Sequence, residues 1–167
     1  SAPAWGRPLR QVASITSSAD GSVWFYDERL GLSRLRGQKL EPVEIADDLK
    51  GVQRTVLHAD RRNRLWLVSD RSVELRGQDG DIRRYGTADG LANASYRSIY
   101  EDSAGVIWLG STAGLSRLLD GRLESVTIPG VRRTSWIKAI VEDRQGRLWL
   151  GIDRGGVRLS RASFQNA

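Results

Sequence analysis

The sequence predicts an all-β fold, a β-propeller of four blades with four antiparallel strands each, and three observations lead to it. Trp24, Trp66, Trp108 and Trp149 recur at separations of 42, 42 and 41 residues. Nine residues before each stands an aliphatic side chain, Ile15, Leu57, Ile99 or Ile140. Shortly after each begins Gly31-Leu32-Ser33-Arg34-Leu35, Ser72-Val73-Glu74-Leu75, Gly114-Leu115-Ser116-Arg117-Leu118 or Gly156-Val157-Arg158-Leu159. A period near 40 residues, short apolar segments and one Trp per copy define sheets that pack radially, whereas a flat solenoid is the alternative architecture.

Within a copy, Gly, Asp and Asn punctuate apolar segments of five or six residues, and helical periodicity is absent. In the third copy the spacing predicts strands over 96–101, 106–110, 115–119 and 122–128. Its second strand, Val106-Ile107-Trp108-Leu109, is unbroken in apolar character, as a strand buried on both faces is. The Trp of each repeat is then the side chain that fills the gap between neighbouring sheets.

The turns follow from residue chemistry. Asp102-Ser103-Ala104-Gly105 predicts a type I turn closed by a left-handed residue. The second copy places Asn63 in the Gly slot, and Asn is among the non-Gly residues that best tolerate positive φ. Gly37, Gly80 and Gly121 serve the turns between third and fourth strands.

Repeats at about 10–51, 52–93, 94–134 and 135–161 make the 167 residues a single propeller domain, partial or small in blade number. The fourth copy has too few residues after Leu159 for a full last strand, so segment 1–9, which contains Trp5, is expected to supply a closing outer strand, in this chain or a neighbour.

Composition excludes several classes of function. With no Cys there is no disulfide scaffold, thiolate metal site or Cys nucleophile. No apolar run approaches the roughly 18 residues of a membrane span. Net charge is +6, and 23 of the 26 basic residues are Arg, but the pairs Arg61-Arg62, Arg83-Arg84 and Arg132-Arg133 fall in different repeats among acids. This describes a solvated surface rather than a nucleic-acid footprint. His58 is the only histidine and aligns with Thr16, Tyr100 and Val141 in a first strand, which leaves neither a His metal cluster nor a catalytic triad. No cofactor or metal motif is present, and no catalytic residue is assigned.

Antiparallel connectivity sorts the loops. Turns between strands 1–2 and 3–4 lie at one end of a blade, whereas 2–3 loops and links between blades lie at the other. The second set differs among copies, and variable loops on a rigid scaffold are where binding sites sit. Asp27, Glu28, Arg29, Asp70, Arg71, Ser111, Thr112, Asp153 and Arg154 are therefore candidate ligand contacts. Arg54, Tyr96 and Trp136, early in first strands near the axial mouth, join them, although Trp136 fits core packing between blades equally.

Asp89-Gly90-Leu91-Ala92-Asn93, then Tyr96-Arg97-Ser98-Ile99-Tyr100-Glu101-Asp102-Ser103-Ala104-Gly105-Val106-Ile107-Trp108-Leu109-Gly110 and Gly114-Leu115-Ser116-Arg117-Leu118, closely resemble the two-component regulator propeller repeat. The fourth copy resembles it through Ile137–Leu159, and the first two are degenerate, with Phe25-Tyr26 and Leu67-Val68 after the Trp. The resemblance implies a periplasmic, extracytoplasmic sensor module of a histidine kinase or diguanylate cyclase protein. Its ligand would be an unknown small molecule or glycan, and it would meet the membrane only through segments outside this sequence. Four repeats then imply a fragment, a small closed ring, or blades completed by a second chain. Gly21-Ser22-Val23-Trp24-Phe25 also resembles streptogramin lyase-like propellers, which would make the chain an enzyme, and an assembly scaffold is a third reading.

Overall fold

The computed structural model describes residues 11–52, 54–70, 72–132, 135–153 and 155–159. It contains the expected sheets in sequence order. Sheet one is β1 (Val12–Ser17), β2 (Val23–Asp27), β3 (Gly31–Arg36) and β4 (Lys39–Val43), and sheet two is β5 (Val56–Ala59), β6 (Leu65–Val68), β7 (Val73–Arg76) and β8 (Ile82–Tyr85). Sheet three is β9 (Tyr96–Glu101), β10 (Ile107–Ser111), β11 (Gly114–Leu119) and β12 (Arg122–Val126). Sheet four is β13 (Ile137–Glu142), β14 (Leu148–Ile152) and β15 (Gly155–Leu159), and the closing strand expected from residues 1–9 lies outside the described residues. The Cα register places a third-strand Arg opposite three of the tryptophans, Arg34 opposite Trp24, Arg117 opposite Trp108 and Arg158 opposite Trp149.

By internal packing the chain divides into two compact units, Ser1–Ser69 with Glu74–Arg83, and Asp70–Val73 with Arg84–Ala167. In the first, sheets one and two enclose Tyr26, Leu32, Ile45, Leu49, Leu57, Leu65 and Leu67, with Trp24 packed against this cluster. Polar ties cross the junction: the Leu57 amide donates to Ser14 Oγ at 2.9 Å and the Ala59 amide to Thr16 Oγ1 at 3.3 Å. In the second unit, sheets three and four enclose Trp108, Leu115, Ile128, Ile137, Ile140, Leu148, Leu150 and Leu159. Gly110 is required there, because a Cβ would collide with Ser98 Oγ and Ile137. The Gly of the Trp-Leu-Gly signature thus permits the neighbouring sheet its close approach.

The feature repeated most faithfully is a carboxylate brace at the turn between first and second strands. Asp102 Oδ1 accepts from the amides of Ala104 and Val106, both at 2.9 Å, while its Oδ2 accepts from Trp108 Nε1 at 2.9 Å. Asp60 does the same for Arg62, Arg64 and Trp66, and Asp143 for Gln145, Arg147 and Trp149. One side chain therefore fixes the turn and orients the indole. The left-handed slot is occupied as expected, by Asn63 at φ 58° where the other copies have Gly21, Gly105 and Gly146. In the first copy Ser18 stands at the Asp position and accepts from Trp24 Nε1 at 3.3 Å, while Asp20 takes the turn amide of Ser22 at 3.0 Å.

The tryptophans differ in burial. Trp66 and Trp108 are 0% and 3% exposed, whereas Trp149 is 43% exposed, contrary to the expectation that every Trp is enclosed between sheets. The inner face of sheet four meets sheet three, and Trp149 lies on its other face with Val141, also exposed. In the first unit Ile15 of β1 is likewise exposed, on the side away from Ser14 and Thr16.

Replacing Asp102 with Ala strands two turn amides and a buried indole and is expected to cost roughly 3 kcal/mol by urea unfolding, whereas Asp143→Ala, beside an exposed Trp, costs about 1. Burial works to raise the Asp60 carboxyl, but the Arg64 side chain and amide and the Trp66 indole outweigh it and hold it below the usual range. Its folded value lies below its unfolded one. The brace is therefore at full strength above about pH 4 and is lost as pH falls through the folded value. The melting temperature should be flat near neutrality and fall below about pH 4, with a shallower fall in Asp60→Asn.

Candidate functional site

At the end of the blades that carries the 2–3 loops, the sequence-predicted residues separate into two groups. Several are committed to holding backbone. Asp27 is 2% exposed, its Oδ1 accepting from the amides of Arg29 at 2.9 Å and Leu30 at 3.0 Å and its Oδ2 from Gln11 at 3.1 Å. Ser111, also buried, bonds Gly114 O and the Ala113 amide. Thr112 Oγ1 accepts from the Ser95 amide at 3.1 Å, and the Glu28 amide donates to Gln11 O at 3.1 Å.

Tyr96 is fully buried, and its hydroxyl accepts from the Ala92 amide at 2.9 Å and donates to Ala92 O at 3.3 Å. Burial pushes its phenol pKa up. Tyr26 makes the matching arrangement in the first unit, donating to Leu49 O at 2.5 Å and accepting from the Val52 amide at 3.2 Å. Tyr26 pins the link that leads into β5, and Tyr96 the link that leads into its own strand, β9. Tyr96 thus clamps the linker before β9.

The others face solvent. Arg29, Arg54, Trp136 and Asp153 are exposed, and Asp70 is half-buried, while Arg71 and Arg154 lie outside the described residues. In the first unit Arg29 lines a groove of about 400 Å³ together with Leu30, Ile45, Asp47 and Lys50. Lys50 Nζ bonds Asp47 Oδ1 at 2.7 Å across its rim, and Arg29 and Glu44 add a further cation and a further carboxylate to the lining. The groove joins an apolar floor to ionic edges, the form in which small polar molecules are held.

In the second unit the structure adds Arg97, which sequence reasoning missed. Its Nη2 stands 3.5 Å from Asp70 Oδ1, too far for a hydrogen bond. Arg97 Nε and Asp70 Oδ1 are both buried without a hydrogen-bond partner. Such a pair has capacity for a further polar group. The available signal was the position, since Arg97 follows Tyr96 in the irregular early part of a first strand and its side chain points to the opposite face.

Sheets of this kind, repeated at one Trp each and connected in sequence order, are the blades of a β-propeller. The family model described as two component regulator propeller matches residues 90–113 and 132–154. Solved structures of the same fold include the extracellular domain of a hybrid two component system from B. thetaiotaomicron (21% identity, TM-score 0.73, covering 92% of this chain and 22% of that one). They also include a catalytically inactive virginiamycin B lyase from Staphylococcus aureus with quinupristin (19%, TM-score 0.76, 92% and 53%). A third is PorZ, a surface component of the type-IX secretion system of Porphyromonas gingivalis (11%, TM-score 0.67, 93% and 27%). At these identities the likeness establishes the fold, and the chain spans about half of the lyase and about a fifth of the extracellular domain. A comparison with curated proteins finds no match. Among the described residues no helix is long and apolar enough to cross a membrane.

Tyr96→Phe removes the linker clamp and is expected to lower stability by about 1–2 kcal/mol, whereas Trp136→Ala stays within about 0.5 kcal/mol of the parent. Chemical denaturation of the two variants checks the division between buried clamp and exposed contact.

Proposed function

We propose that this chain is an extracytoplasmic ligand-sensing module of a transmembrane signalling protein, a two-component sensor or diguanylate cyclase, and that it performs no catalysis itself. The observation that carries the reading is the Arg29 groove, which opens among the loops where the repeats differ while the opposite turns repeat one scaffold. The two component regulator propeller repeat supports it, as does the likeness to the extracellular domain of a hybrid two component system. The ligand is a small polar molecule or glycan that meets Arg29 in the first unit or Trp136, Asp70 and Arg97 in the second. A lyase reading that needs a histidine base has only His58 to offer, and His58 sits within β5 in register with Trp66.

The exposed Ile15 and Trp149 favour a second role, as surfaces on which further blades pack, from a longer chain or a second copy. Elsewhere the same positions are partners: Leu57, at the place of Ile15, shares a cluster with Trp24, and Ile140 shares one with Trp108. Light scattering separates the two sources, since a second copy gives a dimer and a longer chain leaves this piece monomeric.

A thermal-shift screen over oligosaccharides and small periplasmic metabolites is expected to yield a stabilising ligand whose effect is lost in Arg29→Ala or in Trp136→Ala. A ligand that still stabilises both variants would remove the loop-bearing end as the site, and a protein partner captured in place of any small molecule would favour an assembly scaffold.

A further inference from the structure

At the end of the first unit opposite the variable loops, sheets one and two part into a cleft of about 180 Å³. Asp20, Arg34 and Arg36 line it from sheet one, and Asn63, Arg76 and Gln78 from sheet two. The chain contains its own reference for this junction. Between sheets three and four, the amide and Oγ of Ser103 donate to Glu142 Oε2 and Oε1 at 2.6 and 2.7 Å, which ties the first-strand turn of one sheet to the first strand of the next. The corresponding positions in the first unit, counted from each Trp, are Ala19 and Ala59, whose side chains cannot bond. The junction without the tie is the one that opens.

The lining of this cleft is polar in a specific way. Asp20 Oδ2 bonds Arg34 and also takes Arg36 Nη2 at 3.2 Å, so two guanidinium groups share one carboxylate. Arg76 enters from the facing sheet, its Nε donating to Glu74 at 2.6 Å. Arg36 is 64% exposed and retains donors for a further anion. Across from these cations, Asn63 Oδ1 is buried and accepts no hydrogen bond. A guest that satisfies both sides must present an oxyanion to the arginines and a hydroxyl donor to Asn63.

We infer that the cleft between sheets one and two is a binding site for a small hydroxylated carboxylate, with Arg36 and Arg34 holding the carboxylate and Asn63 accepting from the hydroxyl. The site is distinct from the Arg29 groove, because the cleft is formed by first-to-second and third-to-fourth strand turns and the groove by 2–3 and inter-blade loops. Its position is also distinct in sequence origin, since it arises where the repeats agree in scaffold and differ in one pair of side chains.

Three matched probes test it by NMR titration of the whole chain: glycerate has both groups, propionate lacks the hydroxyls and glycerol lacks the carboxylate. Glycerate is expected to give saturable shifts at the Trp24 indole and Asn63 amide, with propionate and glycerol each weaker by about tenfold or more, as loss of one charge-assisted or buried hydrogen bond requires. Asn63→Gly keeps the left-handed backbone that Gly adopts at this position in the other repeats, and Arg36→Gln leaves Asp20 paired with Arg34. Each variant should lower glycerate affinity by about tenfold while retaining the parent spectrum elsewhere. No saturable shift with glycerate, glycerol binding equal to glycerate, or undiminished affinity in both variants would each overturn the assignment.

Discussion

A carboxylate six residues before three of the four repeat tryptophans governs how a blade is built. Asp60, Asp102 and Asp143 use one oxygen to gather two turn amides and the other to hold the indole N–H. A buried indole donor without an acceptor is costly, and so is a tight turn whose amides point inward. A single acid removes both costs and, in doing so, sets the angle at which the largest apolar side chain of the blade meets the neighbouring sheet. The register of β9 with β10 and of β13 with β14 is then fixed at the turn, and the remaining strands pair outward from it.

The first copy shows how much of that arrangement can be redistributed. Ser18 reaches the indole at longer range, and the turn amide passes to Asp20, whose carboxyl is held well below the usual range first by the Ser18 hydroxyl and then by the Ser22 amide. Arg34 stacks over Trp24 at 4.9 Å from the ring centre. In the second copy Arg64 stands 5.8 Å over Trp66, and Glu74, at the place of Ser33, is fully buried and paired to Arg76. The scaffold is held constant while the charges around it are exchanged, and it is this exchange that gives the two ends of the first unit different chemistry.

Much of the fold was legible in the sequence because its determinants are local. The strands of the third copy fall at or within a residue or two of the predicted bounds, and the positive φ of Asn63 follows from residue type alone. The brace itself was half legible: Asp102 reads as the start of a type I turn, yet its acceptor role toward the indole needs the turn to be folded before it can be seen. The site was less legible. Asp27, Tyr96 and Ser111 have the residue types of ligand contacts and are used by the backbone, a distinction set by burial rather than by spacing. Arg97 and Asn63 went unassigned as binding residues because an unsatisfied buried atom is a property of packing.

The self-sufficiency of the brace has an evolutionary consequence. The turn amides and the indole that Asp102 gathers all lie within six positions of it, so a duplicated segment arrives with its own fold instructions. What a new copy must match is only the face of its neighbour, an aliphatic such as Ile140 against an indole such as Trp108. Blade number in such a chain is accordingly free to drift by unequal recombination while the architecture persists, and novelty accumulates at the seams, where a Ser–Glu tie can lapse to a pair of alanines without disturbing either sheet.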